Sequence, residues 1–421
     1  MKHSILVVVA MLFVFSFTVN AQDGSDLTYV KLNGKWGYVD KNGKEVIPLK
    51  YEGVTHFHEG IAVVNLNGKV GAIISTGKEL IPFKDWTVNK SSSLMMKVEG
   101  EHYGGFFDLT KGSHIPPKHD DAEDFSEGLA AVKSIYQEGD GMFDSGTNET
   151  KAKWGFIDRT GKEVVPLKYE FARSFSEGLA AVSLNGKFGV IDKSGNELSP
   201  FKYDYISEYK NGFAIIKLNE KWGFIDKTGN EITAIKYDDV RYFNKNMARV
   251  KLNGEWGFIS TTGNEIIPLK YDDVSDFSGG VAIIWKDRKA GAVDKYNNMV
   301  IRPYYDGLGS LSDGFAIGNL LRKYSIINIK TKSAVNLKDY QSVRKLSEGI
   351  AIVKLNGKYG YIDTTGKEIT DIKYEKANKF YNGMASVFVN GKWGYINKSG
   401  KEIIPVKYDS VSELYGYSEF E

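Results

Sequence analysis

Short runs of alternating apolar and polar residues, separated by turn residues, form the main pattern of this chain. In the clearest stretch, residues 178–184 predict one strand, Asn185-Gly186 predicts a two-residue hairpin turn, and residues 188–192 predict a second strand. A third strand is predicted over residues 162–166 and their equivalents, where a recurring proline indicates a strand end or a sheet edge. A short fourth run follows each Lys-Tyr-Asp or Lys-Tyr-Glu. The pattern therefore predicts an all-β chain of small antiparallel sheets.

The pattern repeats with a regular period. Each unit but one carries a glycine anchor, and the interval between successive anchor positions is mostly about 34 residues, within the range typical of repeat architectures. The anchors are Gly37, Gly71, Gly105, Gly155, Gly189, Gly223, Gly257, Gly291, Ser325 in the same position, Gly360 and Gly394. Eleven units result, and the one long step, from Gly105 to Gly155, places an insertion at about residues 134–152, in the hairpin turn of the fourth unit. One such unit cannot bury its apolar face alone, so neighbouring units must stack.

Five of the seven tryptophans occupy one position, directly before the anchor. They are Trp36, Trp154, Trp222, Trp256 and Trp393. Because their phase in the repeat is fixed, we expect these side chains to fill the repeat core or the space between units. The alternative is that some of the rings face outwards, where an aromatic side chain is able to stack on carbohydrate.

The repeated motif is specific. Residues 34–48 read Gly-Lys-Trp-Gly-Tyr-Val-Asp-Lys-Asn-Gly-Lys-Glu-Val-Ile-Pro, and residues 391–405 carry the same motif with Asn397 in place of the aspartate. This motif resembles that of the WG-repeat family of exported bacterial proteins, over about residues 27–415. The resemblance implies a repeat scaffold, often exported, with no general enzymatic activity and no catalytic residues to carry over. Units two, three, eight and nine are degenerate, with Val70, Gly104, Ala290 and Tyr324 in the tryptophan position.

Two arrangements of the units fit the sequence. The favoured prediction is an open superhelical array, because eleven units exceed the four to eight blades that are usual in a closed propeller. The alternative is one or more closed, propeller-like rings. It is supported by complementary chain ends, since residues 28–32 lack a preceding strand and residues 411–415 lack a following one.

Residues 1–21 predict a signal peptide. Lys2 and His3 precede an apolar run over residues 5–19, and a cleavage site of small residues ends at Ala21. Residues 22–421 are then a single array of eleven repeats, without a further run that is apolar enough to span a membrane. We therefore expect an exported protein, located in the periplasm, on the cell surface or outside the cell.

Composition argues against several classes of activity. The 421 residues include 55 Lys and Arg against 53 Asp and Glu, and this balanced charge argues against nucleic-acid binding. The absence of cysteine excludes thiolate metal sites, disulfides and thiol nucleophiles. No catalytic motif is present, and most carboxylates recur at turn positions. We expect no enzymatic activity and no cofactor; the alternative is an envelope hydrolase with its site in the degenerate units or the insertion.

Two irregularities are candidates for a specific site. All five histidines after the signal peptide lie between residues 56 and 119, and His56, His58, His114 and His119 are weak candidates for metal ligands. We expect no metal site, because no further ligands stand at a recognisable spacing. The insertion is expected to be a tolerated surface segment. The alternative is a recognition loop, with apolar contacts from Tyr136, Met142 and Phe143.

These features together predict a non-catalytic exported scaffold. Its expected partner is a protein or a polysaccharide of the cell envelope, bound along a face that is built from similar units. The sequence leaves the identity of this partner and the oligomeric state open.

Overall fold

The computed structural model describes residues 27–58, 60–84, 87–88, 95–99, 105–108, 113–116, 118–137, 150–309 and 312–412. Within these ranges the regular elements are 41 β-strands, which form eleven small antiparallel sheets. The same ranges hold no helix with the length and apolarity to cross a bilayer. The predicted signal peptide, residues 1–21, lies outside the described residues.

The sheets follow one another along the chain. The first four contain β1 (Thr28–Leu32), β2 (Lys35–Val39), β3 (Glu45–Tyr51); β4 (Gly53–Val54), β5 (Ile61–Leu66), β6 (Lys69–Ile74), β7 (Glu79–Lys84); β8 (Thr87–Val88), β9 (Met95–Glu99), β10 (Gly105–Asp108), β11 (Ser113–Ile115); and β12 (Asp121–Ala122), β13 (Leu129–Gln137), β14 (Thr150–Asp158), β15 (Glu163–Tyr169). The next four contain β16 (Phe171–Ala172), β17 (Leu179–Leu184), β18 (Lys187–Asp192); β19 (Tyr205–Ile206), β20 (Phe213–Leu218), β21 (Lys221–Asp226); β22 (Asp239–Val240), β23 (Met247–Leu252), β24 (Glu255–Ser260), β25 (Glu265–Tyr271); and β26 (Asp273–Val274), β27 (Val281–Lys286), β28 (Lys289–Asp294), β29 (Met299–Tyr305). The last three contain β30 (Gly307–Leu308), β31 (Phe315–Leu320), β32 (Lys323–Asn328), β33 (Ala334–Asn336); β34 (Ser342–Ser347), β35 (Ile350–Leu355), β36 (Lys358–Asp363); and β37 (Lys376–Ala377), β38 (Met384–Val389), β39 (Lys392–Asn397), β40 (Glu402–Tyr408). One further strand, β41 (Ser410–Val411), joins the first sheet.

Each sheet is built around a hairpin. In the fifth sheet the turn between β17 and β18 consists of Asn185 and Gly186, whose φ angles of 53° and 71° lie in the left-handed region. Asn and Gly adopt this region most readily, so the dipeptide fixes the turn. A short outer strand pairs with one side of the hairpin, as β16 does with β17. The structure thus confirms the predicted fold class, an all-β chain of tandem repeats made of small antiparallel sheets.

The third strand is the element that varies between units. It is present in eight described sheets, but the fifth, sixth and tenth sheets have three strands and keep only isolated bridges at this place. In these units a hydroxyl residue, Ser199, Thr233 or Thr370, replaces the Val or Ile of the other units. The Val190 N–H donates to Ser199 Oγ at 3.0 Å, and the Tyr361 N–H donates to Thr370 Oγ1 at 3.2 Å. The prediction of a third strand is therefore wrong in these three units. In the fifth and tenth sheets the hydroxyl takes a backbone donor.

The hydrophobic core lies between consecutive sheets. One buried cluster combines Ile215 and Phe224 of the sixth sheet with Val240, Ala248 and Val250 of the seventh. Similar clusters join the fourth sheet to the fifth and the seventh to the eighth. Each unit therefore depends on its neighbour for burial of its apolar face, as the stacking argument requires.

The two ends of the array meet. Val30 and Lys31 of β1 pair antiparallel with Val411 and Ser410 of β41. Val30 also belongs to a buried cluster that contains Tyr395 of the last sheet. This pairing is the contact that the ring alternative predicts from the complementary first and last strands. The physical reason is that the first sheet has no other outer strand among the described residues, and that β41 pairs with no other described strand.

The insertion lengthens a hairpin that is otherwise regular. The pairing of β13 with β14 continues beyond the usual turn position as far as Gln137 and Thr150. The backbone of Tyr136 pairs with that of Lys151, whereas Met142 and Phe143 lie outside the described residues. The recognition-loop alternative therefore stays a prediction.

Replacing residues 134–152 with Leu-Asn-Gly, the sequence of residues 184–186, should leave the array folded. Asp120 accepts a hydrogen bond from the Ile135 N–H at 2.6 Å, and Asp204 accepts the equivalent bond from Asn219 at 2.8 Å, so the shorter turn keeps this contact. Loop-closure entropy depends weakly on length, so we expect the free energy of unfolding to rise by about 1 kcal/mol or less. Urea denaturation measures this. An unfolded variant would mean that the insertion packs against the array.

Candidate functional site

One row of paired residues crosses the regular sheets near the hairpin turn. In the sixth sheet Tyr205 pairs with Lys217, Lys217 pairs with Trp222, and Trp222 pairs with Tyr237. The Nζ atom of Lys217 lies over the Trp222 ring, 5.3 Å from its centroid. The equivalent contacts are Lys31 over Trp36 at 5.4 Å, Lys133 over Trp154 at 5.5 Å and Lys251 over Trp256 at 5.7 Å. The tryptophan position therefore lies at the turn end of the sheet, next to a cation.

The structure places the five repeat tryptophans at different depths. Trp154 and Trp256 are 8% and 7% exposed, whereas Trp36, Trp222 and Trp393 are half-buried. The aromatic residue two positions further along the same strand is more deeply buried in each case. These residues are Tyr38, Phe156, Phe224, Phe258 and Tyr395. Both positions face the same side of the strand, so the second aromatic residue forms the centre of the core and the tryptophan forms its rim.

Five aromatic rings form a continuous row across the fourth, fifth and sixth sheets, which we call the aromatic ladder. The ladder consists of Trp154, Phe171, Phe188, Tyr205 and Trp222. Successive ring centroids lie 6.2, 5.9, 6.4 and 5.9 Å apart, and neighbouring planes are inclined by 53° to 77°. Phe171 is 39% exposed, and Phe188, Tyr205 and Trp222 are half-buried. The ladder is therefore an apolar surface that solvent reaches.

The ladder arises where the outer strand of a sheet begins with an aromatic residue. Phe171 begins β16 and Tyr205 begins β19, and each fills the space between two tryptophan positions. The same position holds Asp239 in the seventh sheet, Asp273 in the eighth and Gly307 in the ninth. This surface was not predicted from the sequence, although a signal was present. The ladder residues stand at equal intervals along the chain, each of them half of the repeat period.

Arg173 is inserted into the ladder. Its guanidinium carbon lies 5.6 Å from the ring centroid of Phe171 and 5.0 Å from that of Tyr205. Its Nε atom donates a hydrogen bond of 3.0 Å to the carbonyl oxygen of Ile206, which fixes the orientation of the group. In the part of the chain that the structure describes, no carboxylate forms an ion pair with Arg173. The ladder therefore contains a half-buried, oriented positive charge.

Recurring carboxylates serve as structural groups at the turns. Asp204 pairs with Lys187 Nζ at 2.6 Å and accepts a hydrogen bond from the Asn219 N–H, and these contacts hold the pKa of its carboxyl below the usual value. Burial moves the pKa of Asp124 in the opposite direction. Glycoside hydrolysis requires a proton-donating carboxyl and a second carboxylate. A lowered pKa also holds at the equivalent residues Glu52, Asp238, Asp306 and Asp409, so this repeated group stays ionised and is a poor proton donor.

The candidate histidines have separate contacts. The ring of His56 lies 4.7 Å from that of Tyr29, measured between centroids. The Nδ1 atom of His119 lies 2.9 Å from Ser134 Oγ, and burial lowers the pKa of this imidazole. His58 forms a backbone bridge with Ile61, and the backbone of His114 pairs with that of Phe107. No group of three or more His, Asp or Glu side chains is placed to hold a metal ion among the residues described, and the expected absence of a metal stays a prediction.

The fold and this surface define a repeat scaffold of stacked small sheets. The chain belongs to the WG containing repeat family. The family model matches residues 36–69, 105–134, 154–188, 188–222, 222–256, 256–289, 291–317, 326–359, 359–393 and 393–418. The degenerate second unit, over residues 70–103, falls between the first two matches. No curated protein matches the chain significantly.

Several solved structures are weakly similar to this one. A crystal structure of a eukaryotic initiation factor is 12% identical, with 81% of this chain and 94% of the other covered at a TM-score of 0.39. Hsv2 of Kluyvelomyces marxianus is 11% identical, with 46% and 76% covered at a TM-score of 0.32. The extracellular domain of BT4673 from B. thetaiotaomicron is 9% identical, with 90% and 70% covered at a TM-score of 0.25. At such scores neither the arrangement of the units nor any activity of these proteins is inferred for this chain.

Proposed function

We propose that the protein is a non-catalytic, exported scaffold that binds a polysaccharide of the cell envelope on the aromatic ladder. The observation that carries this proposal is the row of five rings at steps of 5.9 to 6.4 Å, of which all but Trp154 are partly open to solvent. The signal-peptide pattern of residues 1–21 supports export. The structural use of the recurring carboxylates supports a role without catalysis.

The ladder suits a polysaccharide because both partners are regular. A linear polysaccharide presents the apolar C–H faces of its sugar rings at short intervals, while its hydroxyl groups stay in water. Flat aromatic side chains cover such faces at a low cost in side-chain entropy. The contacts between neighbouring rings restrict them further before any ligand arrives. A row that continues through three units favours an extended polymer over a compact ligand.

Binding to dissolved polysaccharides tests this function. The mature protein is run in native gels that contain polygalacturonate, alginate, hyaluronan, laminarin or hydroxyethyl cellulose, and we expect retardation in at least one of them. Because Tyr205 and Trp222 form one end of the ladder, the double variant Tyr205→Ala/Trp222→Ala should bind about tenfold more weakly or worse.

Trp393→Ala is the matched control. Trp393 has the same repeat position and is also half-buried, but it lies in the last sheet, away from the ladder. We expect its binding to equal that of the parent. Retardation by none of the five polymers would refute the proposal. So would capture of an envelope protein by the parent and the ladder variant alike, since the partner would then bind elsewhere.

A further inference from the structure

We infer that the ladder recognises an acidic polysaccharide, and that Arg173 is the residue that selects it. The ligand class is a linear polymer of sugar units that carry carboxylate groups, with sugar faces on the aromatic rings and a carboxylate on the guanidinium. This inference rests on the proposed function and narrows it from polysaccharides in general to acidic ones.

The position of Arg173 is the first argument. Its guanidinium lies between the rings of Phe171 and Tyr205, so a polymer that covers both rings also covers the charge. A guanidinium has five N–H donors, of which the Nε donor is engaged by Ile206. The terminal nitrogens form the planar fork that binds both oxygens of a carboxylate.

An internal comparison shows what is unusual about this arginine. Arg241 occupies the same repeat position two units later and also lies against an aromatic ring, at 5.5 Å from Trp256. There the first residue of the outer strand is Asp239, which forms an ion pair with Arg241. In the fifth sheet that position holds Phe171. The exchange of an aspartate for a phenylalanine thus adds a ring to the ladder and removes the internal counter-ion of the arginine.

The lysines next to the ladder are paired, in contrast to Arg173. Lys217, over the Trp222 ring, forms an ion pair with Glu220 at 2.7 Å. Lys133, over the Trp154 ring, forms one with Asp121 at 3.3 Å. Of these three cations on the ladder rings, Arg173 is therefore the one without an acidic partner among the described residues. A neutral polymer would leave that half-buried charge uncompensated as it displaced water from it.

The test compares acidic and neutral polymers. Dissociation constants of the mature protein are measured by calorimetry for polygalacturonate, alginate and hyaluronan, and for highly methyl-esterified pectin, laminarin and hydroxyethyl cellulose. Methyl-esterified pectin has the chain of polygalacturonate without most of its charges. We expect at least one acidic polymer to bind more tightly than every neutral one, and its affinity to fall as salt concentration rises.

Arg173→Gln should weaken binding of that acidic polymer by about tenfold to a hundredfold and leave neutral polymers unchanged. Arg173→Lys keeps the charge but loses the planar fork, so its affinity should lie between those of the parent and Arg173→Gln. Arg241→Gln is the matched control and should bind like the parent. Thermal melts of all three variants verify that they are folded.

The outcomes separate the two proposals. Neutral polymers that bind as tightly as acidic ones, or an acidic preference that survives in Arg173→Gln, would overturn the selection by Arg173 and leave polysaccharide binding intact. Binding of no polymer at all would overturn both. An equal loss of affinity in Arg241→Gln would mean that the polymer responds to the overall positive charge of the surface. The assignment to Arg173 would then fail.

Discussion

Replacing Phe224 with alanine should lower the free energy of unfolding by about 3–5 kcal/mol, because the truncation leaves a cavity in the core. Phe224 is 0% exposed and its ring lies 4.8 Å from that of Phe243, measured between centroids. Its cluster contains residues of both the sixth and the seventh sheet, so the cavity loosens the contact between two units. Urea denaturation followed by circular dichroism measures the loss.

Trp222→Ala is the control for this prediction. Trp222 lies two residues before Phe224 on the same face of β21, but it is half-buried at the rim of the core. Part of its surface is already in contact with water, so we expect a smaller loss of stability. A loss equal to that of Phe224→Ala would mean that the tryptophan is the main core residue and that the ladder is less exposed than described.

Joining the chain ends with a disulfide should stabilise the protein by up to about 5 kcal/mol, because the bridge closes a very long loop in the unfolded chain. Lys31 and Ser410 are direct cross-strand partners, and such pairs have the Cα separation that a disulfide needs. The parent has no cysteine, so Lys31→Cys/Ser410→Cys introduces a single defined pair. Electrophoresis without reductant detects the bridge, and melts with and without reductant give its effect.

The control pair is Lys31→Cys/Asp273→Cys. Asp273 has the place of Ser410 in the outer strand of the eighth sheet, where it pairs with Trp285. This pair should remain reduced within the monomer under the same oxidant. If Lys31→Cys/Ser410→Cys also remained reduced in the folded protein, the pairing of the first and last strands would be refuted.

The sequence was sufficient for features that depend on neighbouring residues. The turn at Asn185 and Gly186 follows from the φ preferences of two adjacent residues, so the hairpins and their period were predictable. The loss of the third strand accompanies a hydroxyl residue, such as Ser199, at a position that is apolar in the other units. That substitution is visible in the sequence, but its effect depends on competition between a side chain and a strand for one backbone donor.

The ladder and the junction of the ends depend on contacts between units. Phe171 and Tyr205 stand one repeat period apart in the sequence, yet the contacts of Phe171 with Trp154 and of Tyr205 with Phe188 require the outer strand of each sheet to lie beside the preceding hairpin. The pairing of Val30 with Val411 depends on the summed rotation of eleven sheets, which no local pattern contains. Small differences in rotation per unit accumulate, so the sequence is compatible with two arrangements of the ends.

The borrowed outer strand has a consequence for the order of assembly. During synthesis the N-terminal residues appear first, so β1 and β2 form early. Their sheet receives β41 only after nearly all other residues have been synthesised. Until then β1 is an unprotected edge, a type of surface that readily pairs with other chains. The first sheet is thus completed last. A chain that is truncated at its C-terminus lacks β41, and the resulting defect lies in the N-terminal sheet.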